Sequence, residues 1–165
     1  MRELSIRSSH LSDEHVSALL PLTRLRRLNI AHNNKITSVD RLLNALPSLE
    51  TLDARSDGVS ALGRLPYRVF PSRLKVLNVA DNPLIDVASD VFVRLTALEE
   101  LRLDGARLSL ANDTFAVQRN TLRTLSLSHC NFTQAPWPAI AGLGALQTLY
   151  LNKVGSVPVE ICLFP

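Results

Sequence analysis

The sequence predicts an α/β solenoid, a curved horseshoe of stacked coils. Each coil gives one short strand to a single parallel β-sheet on the concave face and returns over the convex face through helix, 3₁₀ or loop. Three observations predict it. A Leu-x-x-Leu-x-apolar segment recurs seven times, at Met1–Ile6, Leu25–Ile30, Leu49–Ala54, Leu74–Val79, Leu98–Leu103, Leu122–Leu127 and Leu146–Leu151. The starts lie 24, 24, 25, 24, 24 and 24 residues apart, and a fixed period of this length marks stacked supersecondary units. The fourth register position is Leu in every copy: Leu4, Leu28, Leu52, Leu77, Leu101, Leu125 and Leu149.

The period divides residues 1–165 into one repeat domain with coils 1–24, 25–48, 49–73, 74–97, 98–121, 122–145 and an incomplete 146–165. Strand side chains alternate, so positions four and six point inward and positions three, five and seven outward. Apolar residues at positions 11, 14, 19 and 22 fold the return back over the core. Two returns read as helical. Ser12–Leu20 has a capping Ser and acids in its first turn, and Ser38–Leu46 is similar, with Pro47 marking its end. Two others read as 3₁₀ turns or extended loops: Pro66 and Pro71 bracket Tyr67–Phe70, and Pro136-Trp-Pro138 opens the sixth return. Ile36 comes one place late after Asn33-Asn34-Lys35, which implies an enlarged turn. Arg119 stands at position 22 of the fifth coil, where an apolar residue is expected, so irregular packing is expected there.

The segment Leu74-Lys-Val-Leu-Asn-Val-Ala-Asp-Asn-Pro-Leu84, continued by Val87, Phe92 and Leu95, resembles the leucine-rich repeat family in its "typical" 24-residue subclass. The resemblance covers the whole chain and implies a protein-interaction fold. Position nine departs from it. The family has Asn there, and this chain has Asn33 and Asn82 but otherwise Ser9, Asp57, Ala106, Cys130 and Val154. Ser, Asp and Cys still offer a polar contact, whereas Ala106 and Val154 offer little or none.

Composition narrows the function classes. The chain is 46% hydrophobic with net charge +3. Its charges are interspersed rather than striped, which argues against a nucleic-acid partner. No apolar run reaches the ~18 residues of a membrane span, so no membrane insertion is expected within this segment. Two cysteines make no disulfide framework, and Cys130 and Cys162 read as small buried hydrophobes. Met1 already stands in repeat register and Ile161–Pro165 falls inside the seventh coil. The sequence therefore reads as lacking a signal peptide and caps, a piece of a longer parent chain.

The outward columns define the candidate site. Position five runs Ser5, Asn29, Asp53, Asn78, Arg102, Ser126, Tyr150, and position seven runs Arg7, Ala31, Arg55, Ala80, Asp104, Ser128, Asn152. The partner-binding candidates are Arg27, Asn29, Asp53, Arg55, Asn78, Asp81, Arg102 and Asp104. Arg55 is the first choice, beside Asp53 and between the short Ala31 and Ala80, with its guanidinium expected to be free. The plainer possibility is a solvated sheet whose charges pair across strands, as Glu3 with Arg27.

Catalysis finds little support. Asp104, Ser128 and His129 hint at a hydrolytic triad, but Ser128 and His129 are adjacent in the chain and an open face excludes no water. His10 and His32 lie on adjacent coils without an evident third ligand. No catalytic, cofactor-binding or metal residues are assigned, and no cofactor is implied. Two glycosylation sequons, Asn112-Asp-Thr114 and Asn131-Phe-Thr133, match the number chance provides. The expected function is recognition of a protein or peptide ligand through the concave sheet of a receptor-like protein or receptor-like kinase ectodomain, extracellular or at the cell surface. An intracellular adaptor or scaffold is the alternative, and a hydrolase a remote one.

Overall fold

The computed structural model describes residues 1–63, 73–87 and 90–155. In chain order the elements are β1 (Glu3–Ser5), α1 (Asp13–Val16), β2 (Arg27–Asn29), α2 (Asp40–Ala45), β3 (Thr51–Asp53), β4 (Ala61–Leu62), β5 (Val76–Asn78), β6 (Asp86–Val87), β7 (Glu100–Arg102), β8 (Arg107–Leu108), β9 (Thr124–Ser126), β10 (Asn131–Phe132), α3 (Trp137–Ala141) and β11 (Thr148–Tyr150). Phe92–Arg94 and Ala116–Gln118 are 3₁₀ turns.

One residue triplet of every coil, positions three to five, forms a strand. These strands build a seven-stranded parallel sheet in the order β1-β2-β3-β5-β7-β9-β11. The register pairs each fourth-position Leu with the next, from Leu4↔Leu28 through Leu77↔Leu101 to Leu125↔Leu149. That single inward row is why the column tolerates no polar residue. Leu28, Leu52, Leu77, Leu101 and Leu125 are buried, as are the first-position Leu25, Leu49, Leu74, Leu98 and Leu122. Burial of each Leu contributes about 1.5–3 kcal/mol. Leu4, Ile6, Leu149 and Leu151, on the outermost strands, are only partly buried. Shorter parallel pairs, β4 with β6 and β8 with β10, join neighbouring coils further along the chain.

The chain leaves the sheet by the same corner in every coil. Position eight has positive φ throughout: Ser8 (50°), His32 (64°), Ser56 (54°), Asp81 (56°), Gly105 (80°), His129 (59°) and Lys153 (49°). The reason is hydrogen bonding. The position-eight N–H donates to the position-seven carbonyl of the next coil, as His32 does to Arg55 (2.9 Å) and Asp81 to Asp104 (2.8 Å). This left-handed turn carries a steric cost that only Gly105 escapes.

Position nine then ties the coils together. Asn82 Oδ1 accepts from the N–H groups of Asp57, Gly58 and Val59 of the preceding coil, and its amide donates to the carbonyls of Ala54, Val79 and Ala80. Asn33 likewise accepts from the Ser9 and Leu11 N–H groups and donates to Ile6 O and Ile30 O. Cys130 replaces this with one contact from Sγ to Leu103 O, and burial pushes its thiol up to about 11. It is buried, as expected; Cys162 lies outside the described residues.

The returns depart from the sequence reading in four places. The Ser12–Leu20 helix shrinks to α1, only Asp13–Val16, capped through Ser12 Oγ and His15 Nδ1 at 2.8 Å. The second helix begins at Asp40, and Ser38 Oγ accepts from the Asp40 N–H two residues on. The Pro136-Trp-Pro138 segment opens the helix α3 rather than a 3₁₀ turn or loop. Both prolines stand at its very start, where their missing N–H groups have no intrahelical partner to lose. The irregularity expected at Arg119 is a shift of one residue. Phe115 and Gln118 fill the buried places that Phe92 and Leu95 fill one coil earlier, which turns Arg119 out to solvent. Phe115 stacks on Phe92 with ring centroids 5.2 Å apart, and Gln118 Nε2 donates to the Phe92 and Leu95 carbonyls. The Pro66–Pro71 return lies outside the described residues.

Candidate functional site

The outward columns carry seven of the eight candidate residues, Asp81 stands beside them at the position-eight corner, and the fold fixes several of them from their own backbone. In coils two to four the position-five side chain reaches two residues on. Asn29 Oδ1 accepts from the Ala31 N–H (3.1 Å), Asp53 Oδ1 from Arg55 (3.4 Å) and Asn78 Oδ1 from Ala80 (3.1 Å). The position-seven N–H points away from the next coil, so a short polar side chain caps it. Coils six and seven solve the same problem with the preceding coil. Asp104 Oδ1 accepts from the Ser128 N–H (2.9 Å), and Ser128 Oγ from the Asn152 N–H (3.1 Å).

Several charges on the face are paired, across strands or along one coil. Arg27 Nη1 meets Glu3 Oε1 at 2.8 Å, the cross-strand pair anticipated from the sequence. Arg102 Nε lies 2.6 Å from Glu100 Oε1, and that hydrogen bond leads the causes raising the guanidinium's pKa. Asn29 Nδ2 reaches Asp53 Oδ2 at 3.3 Å. Arg55 is not free, as the sequence reading had it. Its Nε sits 3.8 Å from Asp53 Oδ2, buried and without a hydrogen bond, while the side chain is 39% exposed. The short neighbours Ala31 and Ala80 are themselves buried. A second row of charges, unweighed in the sequence, runs along position two. Arg26 pairs with Glu50 at 3.3 Å and Lys75 with Glu99 at 2.8 Å. Exposed pairs of this kind are screened by solvent and add little to stability.

Two shallow depressions divide the candidates. Arg27, Asn29 and Asp53 line the first, together with Glu3 and Ser5. Arg55, Asn78, Asp81, Arg102 and Asp104 line the second, with Ser126, Ser128, His129, Tyr150 and Asn152. The outward columns read from the sequence contain Ser126 and Ser128, which are buried small residues, and Tyr150, an exposed aromatic, but the eight partner-binding candidates do not include them. Their alignment in columns five and seven was the available signal.

The triad does not assemble. Asp104 Oδ1 accepts from Ser126 Oγ, not from a histidine, and Ser128 Oγ accepts from the Asn152 N–H. Among the described residues no cluster of three or more His, Cys, Asp or Glu side chains could hold a metal ion, and no helix is long and apolar enough to cross a membrane.

A sequence profile for Leucine Rich repeats (2 copies) matches residues 23–65, and one for a single Leucine Rich Repeat matches residues 121–143. Among solved structures, the chain is similar to a secreted internalin-like protein from Listeria monocytogenes, at 22% identity and a TM-score of 0.72 over 92% of this chain. It is also similar to a leucine-rich repeat protein of Leptospira interrogans, at 24% identity and a TM-score of 0.73 over 96% of this chain. The chain spans 53% of the first and 39% of the second. The repeat profiles, the seven-stranded parallel sheet and both structural likenesses agree: the chain is a leucine-rich repeat protein, and the repeats of that family are interaction modules rather than enzymes.

Proposed function

We propose that the concave sheet docks a protein or peptide ligand, with contact centred on Arg27, Asn29, Asp53, Arg55, Asn78, Asp81, Arg102 and Asp104, as part of a receptor-like ectodomain. One observation carries the docking reading. Asn29, Asp53, Asn78 and Asp104 are already held by hydrogen bonds to backbone N–H groups, so ordering them on binding costs little. Tyr150 at the rim, with Arg55 and Arg102 beside the buried floor of Ser126 and Ser128, supplies the aromatic and guanidinium groups that dominate interface energetics. The receptor-like reading rests on the fourth coil, whose buried Phe92 and Leu95 resemble the ectodomain subclass.

The test is affinity for the partner captured by the wild-type chain. Arg55→Ala should weaken binding by about 1–2 kcal/mol with little change in melting temperature. Arg94→Ala, on the convex 3₁₀ turn beside Asp90, should leave affinity unchanged. A loss at Arg94 with none at Arg55 would move the site to the convex side. Surface biotinylation of cells expressing the full-length gene tests the ectodomain reading separately.

A further inference from the structure

We infer that Asp57 is a proton-operated clasp between the second and third coils: protonated, its carboxyl donates to a coil carbonyl as an asparagine amide would, and ionised, it leaves an unpaired buried oxygen that loosens the stack. The inference goes beyond ligand docking and stands independently of it.

Asp57 occupies position nine, where Asn33 and Asn82 stand in the coils on either side, and it is fully buried. Its Oδ1 accepts from the Asn33 N–H at 2.6 Å, the counterpart of the bonds Asn82 accepts from coil three. Its Oδ2 is buried with no partner. At that place the two asparagines carry an NH₂ group. Asn33 Nδ2 donates to the position-six carbonyls of Ile6 and Ile30, and Asn82 Nδ2 to those of Ala54 and Val79. The corresponding carbonyls for Asp57 are Ile30 O and Ala54 O. Each already accepts one asparagine proton and keeps a second lone pair. A carboxylic acid O–H satisfies that arrangement, whereas a carboxylate sets negative oxygen against carbonyl oxygen in a site without water access.

The charged and titratable groups around it give no compensation. The preceding coil contributes His32 and Lys35, the following coil Asp81, and Asp57's own coil Asp53 and Arg55. His32, Lys35 and Asp81 are exposed, and Arg55 turns to Asp53. Burial is the largest influence on the carboxyl, outweighing the Asn33 N–H, and the Asp53 charge adds to it, so its pKa rises to about 7. A carboxyl raised in the fold contributes stability that is fully present below its unfolded value near ~4 and is lost as pH rises through about 7.

Asp57→Asn supplies the amide permanently. The measurement is the difference in melting temperature between Asp57→Asn and wild type from pH 4 to 8.5. It should be smallest at pH 4, widen through pH 5 and 6 to on the order of 10 °C near pH 7, and stay level above that. A difference that does not change with pH overturns the inference. Should the variant fail to fold, the wild-type Asp57 carboxyl carbon is followed by NMR through the same range. A midpoint near 7 sustains the clasp, and one near ~4 overturns it.

Discussion

Two glycines near the concave corner separate the cost of backbone handedness from the cost of space. Gly105 stands at position eight with φ 80°, and Gly58 at position ten with φ 100°. A Cβ added at Gly105 would meet nothing nearer than the Asp81 Cα at 3.8 Å, an ordinary contact. Gly105→Ala therefore costs only the left-handed penalty, about 1 kcal/mol once the stiffer unfolded chain is credited. At Gly58 a Cβ would lie 2.9 Å from the Asn34 carbonyl oxygen, a backbone atom. The glycine cannot retreat either, because its N–H donates to Asn82 Oδ1 at 2.8 Å. Gly58→Ala adds overlap to handedness and should cost about 3 kcal/mol. His32→Gly runs the other way: it relieves a φ of 64° on an exposed residue and should stabilise by about 0.5 kcal/mol. Thermal unfolding resolves all three, since 1 kcal/mol moves the melting temperature of a chain this size by about 2–4 °C. Equal losses at Gly105 and Gly58 would refute the spatial argument. A His32→Gly variant less stable than wild type by 1 kcal/mol or more would refute the claim that the corner is strained.

Leu101→Asp should cost on the order of 3 kcal/mol or more, because Leu101 is fully buried between Leu77 and Leu125 in register. Arg102→Asp, on the outward face, should cost about 1 kcal/mol or less; equal melting temperatures for the two variants would mean the strand faces are reversed. Asn82→Ala strips the acceptor from three N–H groups at once and should lower the urea midpoint more than Asn33→Ala, which strips two in a more open coil. Pro138→Ala at the start of α3 should be neutral within about 0.5 kcal/mol by thermal melt, and a large loss would show that the prolines do more than initiate the helix.

What the sequence discloses and what it hides divide along a physical line. The inward rows were legible because stacking imposes the same demand on Leu4, Leu28 and every fourth-position residue after them, and a demand repeated seven times leaves a period. The outward columns followed from strand alternation, which places seven of the eight candidate residues on one face, whereas Asp81 stands at the corner beside it. Their anchoring was not legible. Whether Asn78 bonds its own Ala80 N–H, or Asp104 bonds the Ser128 of the next coil, depends on which orphaned donor lies within reach. The returns were least legible, because each is under a constraint of its own. Phe115 and Gln118 keep the spacing of Phe92 and Leu95 yet sit one place early, and only packing reveals that the whole return has slid.

The position-eight corner shows why composition alone misleads. A left-handed residue in every coil should leave a column of glycine, but the column reads Ser, His, Ser, Asp, Gly, His, Lys. The turn persists because six position-eight N–H groups each bond the next coil's carbonyl, and losing such a bond costs as much as the strain it would relieve. Each corner is thus held by the coil that follows it. Asp57 is the position-nine case of the same dependence: the preceding coil's Asn33 N–H bonds one of its carboxyl oxygens and leaves the other without a partner. A solenoid coil takes its local conformation from its neighbours. Substitutions at these corners should therefore be read as changes to an interface between coils rather than to a turn.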